Sequence, residues 1–161
     1  LAASPKARAV SHLDNITPAG VAALTKSQTA AIILPITSLL RRRSPPAVSI
    51  AQAGVPIVLG TNFNSSQYCS SMPLVMYLAC ATLGLMLDQA LMAVTLNAAY
   101  SLTLSHKVGA ITEGRQGDFV VINTRRWEHI ILRVGETEDL IEYVIKKGNI
   151  VYCKQKRFIS F

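Results

Sequence analysis

The sequence has little of several things that would point to a particular class of protein. Its three cysteines, Cys69, Cys80 and Cys153, lie far apart and form no CxxC pair. This pattern indicates neither a zinc knuckle nor a disulfide framework and favours a reducing compartment. The longest apolar stretch, residues 73–87, is shorter than the roughly 20 residues that a membrane-spanning helix needs. The first ten residues contain no apolar run, so we do not expect a secretory signal there.

Acidic residues are also few, with nine Asp and Glu against sixteen Lys and Arg, a net charge of +7. Such a surplus would favour binding to nucleic acid or to an anionic surface. However, only 6% of the residues are aromatic, the basic residues are scattered, and no nucleic-acid-binding motif is present. We therefore expect neither nucleic acid nor a membrane as a partner. The glycine-rich phosphate loops, HExxH and GxSxG are absent as well.

Charge of either sign is absent from residues 44–87, which contain no Asp, Glu, Lys or Arg. Solvent-facing helices usually carry a charged face. Either this region is enclosed in a larger assembly, or the sequence has drifted, and composition leaves both explanations open. The sequence begins with Leu1 rather than Met, so we expect a piece of a longer chain or a processed chain.

Half of the 161 residues are hydrophobic, which indicates a packed core in a chain of single-domain size. Strand patterns at residues 8–13, 30–34 and 55–60 alternate with helical patterns at 17–26 and 45–53. This alternation predicts an α/β fold with parallel βαβ units. Further helices are predicted over 73–87 and 87–104. After them, residues 108–113, 118–123, 141–146 and 150–152 are predicted as strands of a small β unit, with a tight turn at 147–149.

In parallel α/β sheets, functional side chains lie just beyond the carboxyl ends of the strands. His12 follows the first strand and could bind a metal or polarise a carbonyl, or it could be satisfied by backbone groups. Asn62 and Asn64 follow the third strand and could orient a substrate or cap the loop, but an amide cannot accept a proton. Three candidates are weaker. His106 and His129 are predicted to be surface or interdomain contacts, and the arginines at 41–43 are predicted to form a solvated face.

Several longer stretches carry a resemblance to one family. They are SHLDNIT at 11–17, AGVPIVLGTNFN at 53–64, SMPLVMYLAC at 71–80, ALMAVTLNAAYSL at 90–102, RRWEHII at 125–131 and LIEYVIKKGNIVY at 140–152. Together they resemble the imidazolonepropionases, enzymes of histidine degradation in the amidohydrolase superfamily. The resemblance covers residues 11–152.

This resemblance implies a fold in which a (β/α)₈ barrel carries a small β-sandwich built from both chain ends. The chain would be the C-terminal part of it. Residues 1–107 would supply barrel strands six to eight with their helices, and residues 108–161 the C-terminal share of the sandwich. It also implies a cytoplasmic protein that is a homodimer when full length.

The activity implied by the resemblance is hydrolysis of the cyclic C–N bond of 4-imidazolone-5-propanoate, which gives N-formimidoyl-L-glutamate. In the family, a zinc or iron ion activates water and an acidic side chain takes the proton. His12 matches the strand-six histidine near the substrate carbonyl, and Asn64 matches an asparagine that contacts the substrate. Asn62 stands where the family has an aspartate that binds the metal and acts as the base.

The departures from the family pattern bear on activity. Asn62 in place of Asp removes a charge and the proton acceptor, which makes Asn62 a doubtful metal ligand. The family's HxH on strand one and its histidine on strand five have no counterpart in this chain. We therefore expect that the chain by itself binds no metal and is inactive. The alternative is a catalytically inactive relative that acts, if at all, through protein–protein contacts.

Overall fold

The parallel sheet is the first feature of the fold. In a computed structural model that describes residues 7–154, the strands β1 (Ala9–Ser11), β2 (Ala30–Ile33) and β3 (Ile57–Leu59) lie side by side in the order β1-β2-β3. Both pairings are parallel, with Ala9 opposite Ala30 and Ala31 opposite Ile57. This arrangement confirms the predicted βαβαβ alternation, although β1 is shorter than the predicted strand at 8–13.

Two of the helices begin with caps that are visible in the sequence. Helix α1 (Pro18–Ser27) has Thr17 as its N-cap, whose hydroxyl accepts a hydrogen bond from the Gly20 amide at 3.2 Å. Ser71 caps α4 (Met72–Leu83) in the same way. Each helix has proline in its first turn, where the absent N–H costs nothing. Both helices were predicted, although α4 ends four residues earlier than expected, at Gly84 with φ +74°.

The connection between β2 and β3 contains a helix that the sequence analysis did not predict. Helix α2 (Pro35–Arg41) begins immediately after β2 and ends at Arg42, which has a left-handed backbone with φ 51°. It is followed by α3 (Ala47–Gln52), which corresponds to the predicted helix at 45–53. Pro35 at the first position starts α2 because its fixed φ already suits a helix.

The prediction of one continuous helix over 87–104 was wrong. The structure has α5 (Leu87–Val94) and α6 (Leu96–Ser101), separated by Thr95 at φ −121° and ψ −88°. The strand predicted at 108–113 was also wrong, since these residues form bends and turns. Gly109 lies so close to α6 that a Cβ there would be 2.7 Å from the Ala99 Cβ. The backbone is thus packed against a helix, and none of the strands described between residues 7 and 154 pairs with it.

The second sheet is antiparallel and consists of β4 (Phe119–Ile122), β5 (Ile141–Lys146) and β6 (Asn149–Cys153) in that order. These strands were predicted, as was the tight turn between β5 and β6. Positive φ at both Lys147 and Gly148 is the pattern of a type I′ hairpin turn. Asp118 braces this turn by accepting hydrogen bonds from Lys146 Nζ and the Lys147 amide, and these bonds lower the pKa of Asp118 to about 2.

The core lies between the parallel sheet and its helices. Ile33, Ile50 and Val75 are fully buried there. Ile131, from the short helix α7 (His129–Leu132), is fully buried in the same cluster, while α8 (Thr137–Leu140) leads into β5. Between residues 7 and 154, the helices are too short or too polar to meet the requirements of a membrane span.

Candidate functional site

The carboxyl edge of the parallel sheet brings the predicted site residues to one side of the molecule. His12 follows β1 directly, α2 begins right after β2, and Asn62 lies three residues after the end of β3. Because parallel strands all end at the same edge, these three connections converge there. The arrangement is the one that the sequence pattern predicted.

His12 and Asn62 share an unusual backbone conformation. Both are in the left-handed region, with φ 58° at His12 and φ 54° at Asn62. His and Asn are among the residues that adopt this region more readily than others, yet it remains uncommon outside glycine. Sparsely populated backbone conformations concentrate at functional sites. The two strand ends share this conformation in addition to their position, but four other non-glycine residues between 7 and 154 also adopt it, so it does not mark a site by itself.

His12 is exposed and borders a small cavity at this edge. The cavity has a volume of about 10 Å³, which is enough for about one water molecule. Its wall combines polar side chains with the apolar ends of the strands: His12, Leu13, Asp14, Ile32, Ile33, Leu34, Thr37, Ser38 and Pro45. His12 and Thr37, from the first and second connections, are thus brought together.

The amide of Asn62 is part of a hydrogen-bonded chain of side chains. Asn62 is half-buried, and its Nδ2 donates to the Thr37 hydroxyl at 3.0 Å. Thr37 is only 2% exposed and donates to Gln67 Oε1 at 3.1 Å. The Asn62 side chain is therefore oriented by α2, and it offers the site an uncharged amide instead of a carboxylate.

Asn64 is exposed and uses its side chain within its own loop. Its Oδ1 accepts from the Ser66 amide at 2.8 Å, and its Nδ2 donates to the Asn62 carbonyl. The backbones of Asn64 and Gln67 exchange two hydrogen bonds of 3.0 Å each. These contacts fit the loop-capping interpretation, and a substrate would have to compete with them for the Asn64 amide.

The loop also displays an aromatic pair that the sequence analysis did not single out. Phe63 and Tyr68 are 60% and 76% exposed, and their rings meet edge to face with centroids 5.8 Å apart. Two further residues of the site, Thr37 and Gln67, were not predicted from the sequence. Their contacts join positions 25 to 30 residues apart, so the only local signal was a threonine in a mostly apolar segment.

The weaker candidates lie elsewhere. His129 Nδ1 is 2.7 Å from the Thr124 hydroxyl at the start of α7, and His106 is exposed beyond α6. The arginines at 41–43 are exposed at the end of α2, and the ion pairs that the structure describes between residues 7 and 154 do not include them.

The donor set does not fit a metal ion held by this chain alone. In the described part of the chain, no three His, Cys, Asp or Glu side chains gather closely enough to hold one. His12 and Asp14 offer donors beside the cavity, but a neutral amide at position 62 is a weak third ligand. We therefore derive no chemical step through a metal from these residues.

Comparison with known proteins identifies the family. The family model described as "Amidohydrolase family" matches residues 9–152. A "Probable imidazolonepropionase" of Xenopus tropicalis is 48% identical over 94% of this chain and 35% of its own length. The human protein of the same name is 44% identical over 94% of this chain and 36% of its own. An "Imidazolonepropionase" of Rubrobacter xylanophilus is 39% identical over the same shares. The chain thus spans about a third of the length of these relatives.

Solved structures match the fold at low sequence identity. An E. coli guanine deaminase matches with a TM-score of 0.78 at 19% identity. This match covers 91% of the present chain and 39% of the deaminase chain. An adenosine deaminase of Xanthomonas campestris with bound zinc matches with a TM-score of 0.79 at 20% identity. This match covers 95% of the present chain and 38% of the deaminase chain. The parallel sheet followed by the antiparallel sheet corresponds to the C-terminal barrel part of these structures and the strands after it. The chain belongs to the amidohydrolase family.

Proposed function

We propose that this chain forms the C-terminal part of a hydrolase that opens the cyclic C–N bond of 4-imidazolone-5-propanoate and yields N-formimidoyl-L-glutamate. The observation that carries this proposal is the 43–48% identity to relatives named imidazolonepropionase, sustained over 92–97% of the chain. The rest of the barrel would be supplied by sequence outside the 161 residues, as would the other groups that the reaction needs.

Each residue at the carboxyl edge has a distinct role in this proposal. His12 donates a hydrogen bond to the substrate carbonyl and so stabilises the negative charge that develops on its oxygen when water attacks. Asn64 orients the substrate through its amide. Asn62 helps to position the reacting group, but because an amide accepts no proton at neutral pH, it cannot serve as the general base.

The family's metal, zinc or iron, is a proposal for the complete protein only. When bound, such an ion would lower the pKa of a water molecule and polarise the carbonyl. The ligands would have to come mainly from outside residues 7–154, since the donors at the carboxyl edge are too few and too weak. Cytoplasmic location, a homodimer in the complete protein and a unit boundary near residue 107 belong to the same proposal and follow from the family resemblance.

Two observations favour a second candidate, an inactive relative that acts through protein–protein contacts. The Asn62 amide is bonded to a buried threonine and fits its surroundings without a charge. The absence of charged residues from 44 to 87 is also typical of surface that is covered in an assembly, because charged residues are depleted at the centre of interfaces.

The test is a chimera in which residues 9–152 replace the matching segment of the Xenopus tropicalis relative. We expect slow turnover of 4-imidazolone-5-propanoate with Asn62, and Asn62→Asp to raise it about 100-fold to 10,000-fold, the range that a positioned general base contributes. Asn15→Asp, on the exposed loop after β1, adds the same charge and should leave turnover unchanged.

The remaining outcomes separate the two candidates. Equal turnover with Asn and with Asp at position 62 would contradict the role assigned to this position. A folded chimera that is inactive in both forms would favour the inactive relative instead.

A further inference from the structure

Thr37 is a buried hydroxyl with two partners on a different connection of the fold. It lies in the first turn of α2 and is 2% exposed. Its Oγ1 accepts from Asn62 Nδ2 at 3.0 Å and donates to Gln67 Oε1 at 3.1 Å. Both partners belong to the loop between β3 and α4. One hydroxyl therefore joins the second connection to the third.

The first of these contacts supports Asn62. With φ 54°, Asn62 is in a conformation that costs about 1 kcal/mol or more for a residue other than glycine and persists only where its surroundings hold it. Its amide could rotate freely if it had no partner. The bond to Thr37 fixes the amide and, with it, the direction that the side chain presents to the carboxyl edge.

The second contact supports Asn64 through the backbone. Gln67, whose Oε1 accepts the hydrogen bond from the Thr37 hydroxyl, exchanges two backbone hydrogen bonds with Asn64 and so closes the turn. Fixing the Gln67 side chain to α2 fixes this turn relative to the sheet. The two asparagines of the candidate site thus both depend on the same hydroxyl.

We propose that Thr37 is a positioning residue for the candidate site, which sets the orientation of Asn62 directly and of the Asn64 turn through Gln67. The proposal rests on the proposed function for its catalytic consequence, but its structural part can be tested separately. Valine has nearly the same shape as threonine and no hydroxyl. In Thr37→Val, the Asn62 donor and the Gln67 acceptor would both lose their protein partner.

The chain supplies a matched control at the other end of the same strand. Thr29 precedes β2, is 0% exposed, and also has two hydroxyl contacts, to the Ala7 carbonyl and the Ser27 hydroxyl, each at 2.8 Å. Thr29→Val therefore removes an equally buried hydroxyl from the amino edge of the sheet. Any effect that comes only from a weaker fold should be as large in Thr29→Val as in Thr37→Val.

The structural test is hydrogen–deuterium exchange of the peptides that cover residues 61–71, measured by mass spectrometry on the protein as expressed. We expect Thr37→Val to speed exchange there about fivefold to thirtyfold, the effect of losing one to two net hydrogen bonds. Thr37→Ser should restore the wild-type rate, and Thr29→Val should leave this loop unchanged. Unchanged exchange of the loop in Thr37→Val would overturn the proposal.

A second variant covers the case in which Thr37→Val does not fold. Gln67→Met removes only one of the two contacts, at a half-buried loop position. It should also speed exchange at the Asn64–Gln67 turn, by about fivefold. Wild-type exchange in this variant would contradict the link from Thr37 to the Asn64 turn.

The catalytic test uses the chimera described above with Asn62 in place, because a carboxylate at position 62 could not donate to the Thr37 hydroxyl. We expect Thr37→Val to lower kcat about tenfold with a smaller change in KM, because misorientation of a positioned group affects the transition state most. Thr37→Ser should restore kcat, and an unchanged kcat would refute the catalytic consequence. If no form of the chimera is active while loop exchange still responds to Thr37→Val, the proposed function fails and the positioning role stands.

Discussion

Both sheets of the molecule have three strands that are rich in apolar residues, yet the two sheets differ in burial. The residues of β2 and β3 are almost all buried, whereas those of β4, β5 and β6 are half-buried or exposed. Val120 and Ile150 in the antiparallel sheet are 56% and 63% exposed. Ile33 in the parallel sheet is 1% exposed.

The difference follows from how the strands are connected. Parallel strands need crossovers, and crossovers place helices on the faces of a sheet, whereas a hairpin between antiparallel strands brings no cover with it. Val and Ile side chains therefore stabilise the parallel sheet by their burial, whereas in the antiparallel sheet the same residue types leave apolar surface exposed. Apolar composition alone does not say which of these will occur.

The same side-chain truncation, Ile→Ala, should have very different effects on stability in the two sheets. Ile33→Ala should lower the free energy of unfolding by about 3 kcal/mol, because it removes buried methylene groups and leaves a cavity. Ile150→Ala should change it by less than about 0.5 kcal/mol, as exposed positions usually do. Urea unfolding followed by circular dichroism measures both. Similar losses in the two variants would show that β6 is as well buried as β2.

A smaller effect is expected at the hairpin of the antiparallel sheet. The bond from Lys146 to Asp118 lowers the pKa of that carboxyl to about 2, below its usual value of 3.8. A lowered pKa in the folded state stabilises the fold above pH 3.8, and this contribution is lost as the pH falls towards 2. Asp118→Asn should therefore reduce Tm slightly at pH 6 and flatten the loss of Tm between pH 4 and pH 2.

Asp139 provides the control for this titration. It pairs with Lys154 at 3.3 Å and is 83% exposed, and exposed pairs contribute little. Asp139→Asn should keep the acid-induced loss of the wild type. A loss of Tm between pH 4 and pH 2 that is as steep in Asp118→Asn as in the wild type would contradict the role of the Asp118 contacts.

Much of the fold could be predicted because its signals are local. The apolar run at 30–34, the Thr17-Pro18 cap and the hairpin turn at 147–149 each depend on neighbours in sequence. The break at Thr95 and the turns at 108–113 could not be predicted in this way. Both lie where Gly109 packs against Thr95 and α6, a contact that becomes visible only when the chain is folded.

The candidate site, too, could be predicted from the sequence only where its signals are local. The positions of His12 and Asn62 followed from the rule that functional side chains lie beyond the carboxyl ends of parallel strands. Their left-handed backbones and the contacts of Thr37 did not follow, since these join residues far apart in sequence. The roles of His12, Asn62 and Asn64 in catalysis stay predictions until turnover is measured.

By the proposed function, this chain carries one part of a hydrolase site and not a complete one. Elemental analysis of the purified 161-residue chain, after exposure to zinc or iron and removal of excess metal, tests it most directly. We predict well below one metal ion per chain, because the carboxyl edge offers too few strong donors. One zinc or iron ion per chain would contradict the account and would require a ligand set other than the one described at the carboxyl edge.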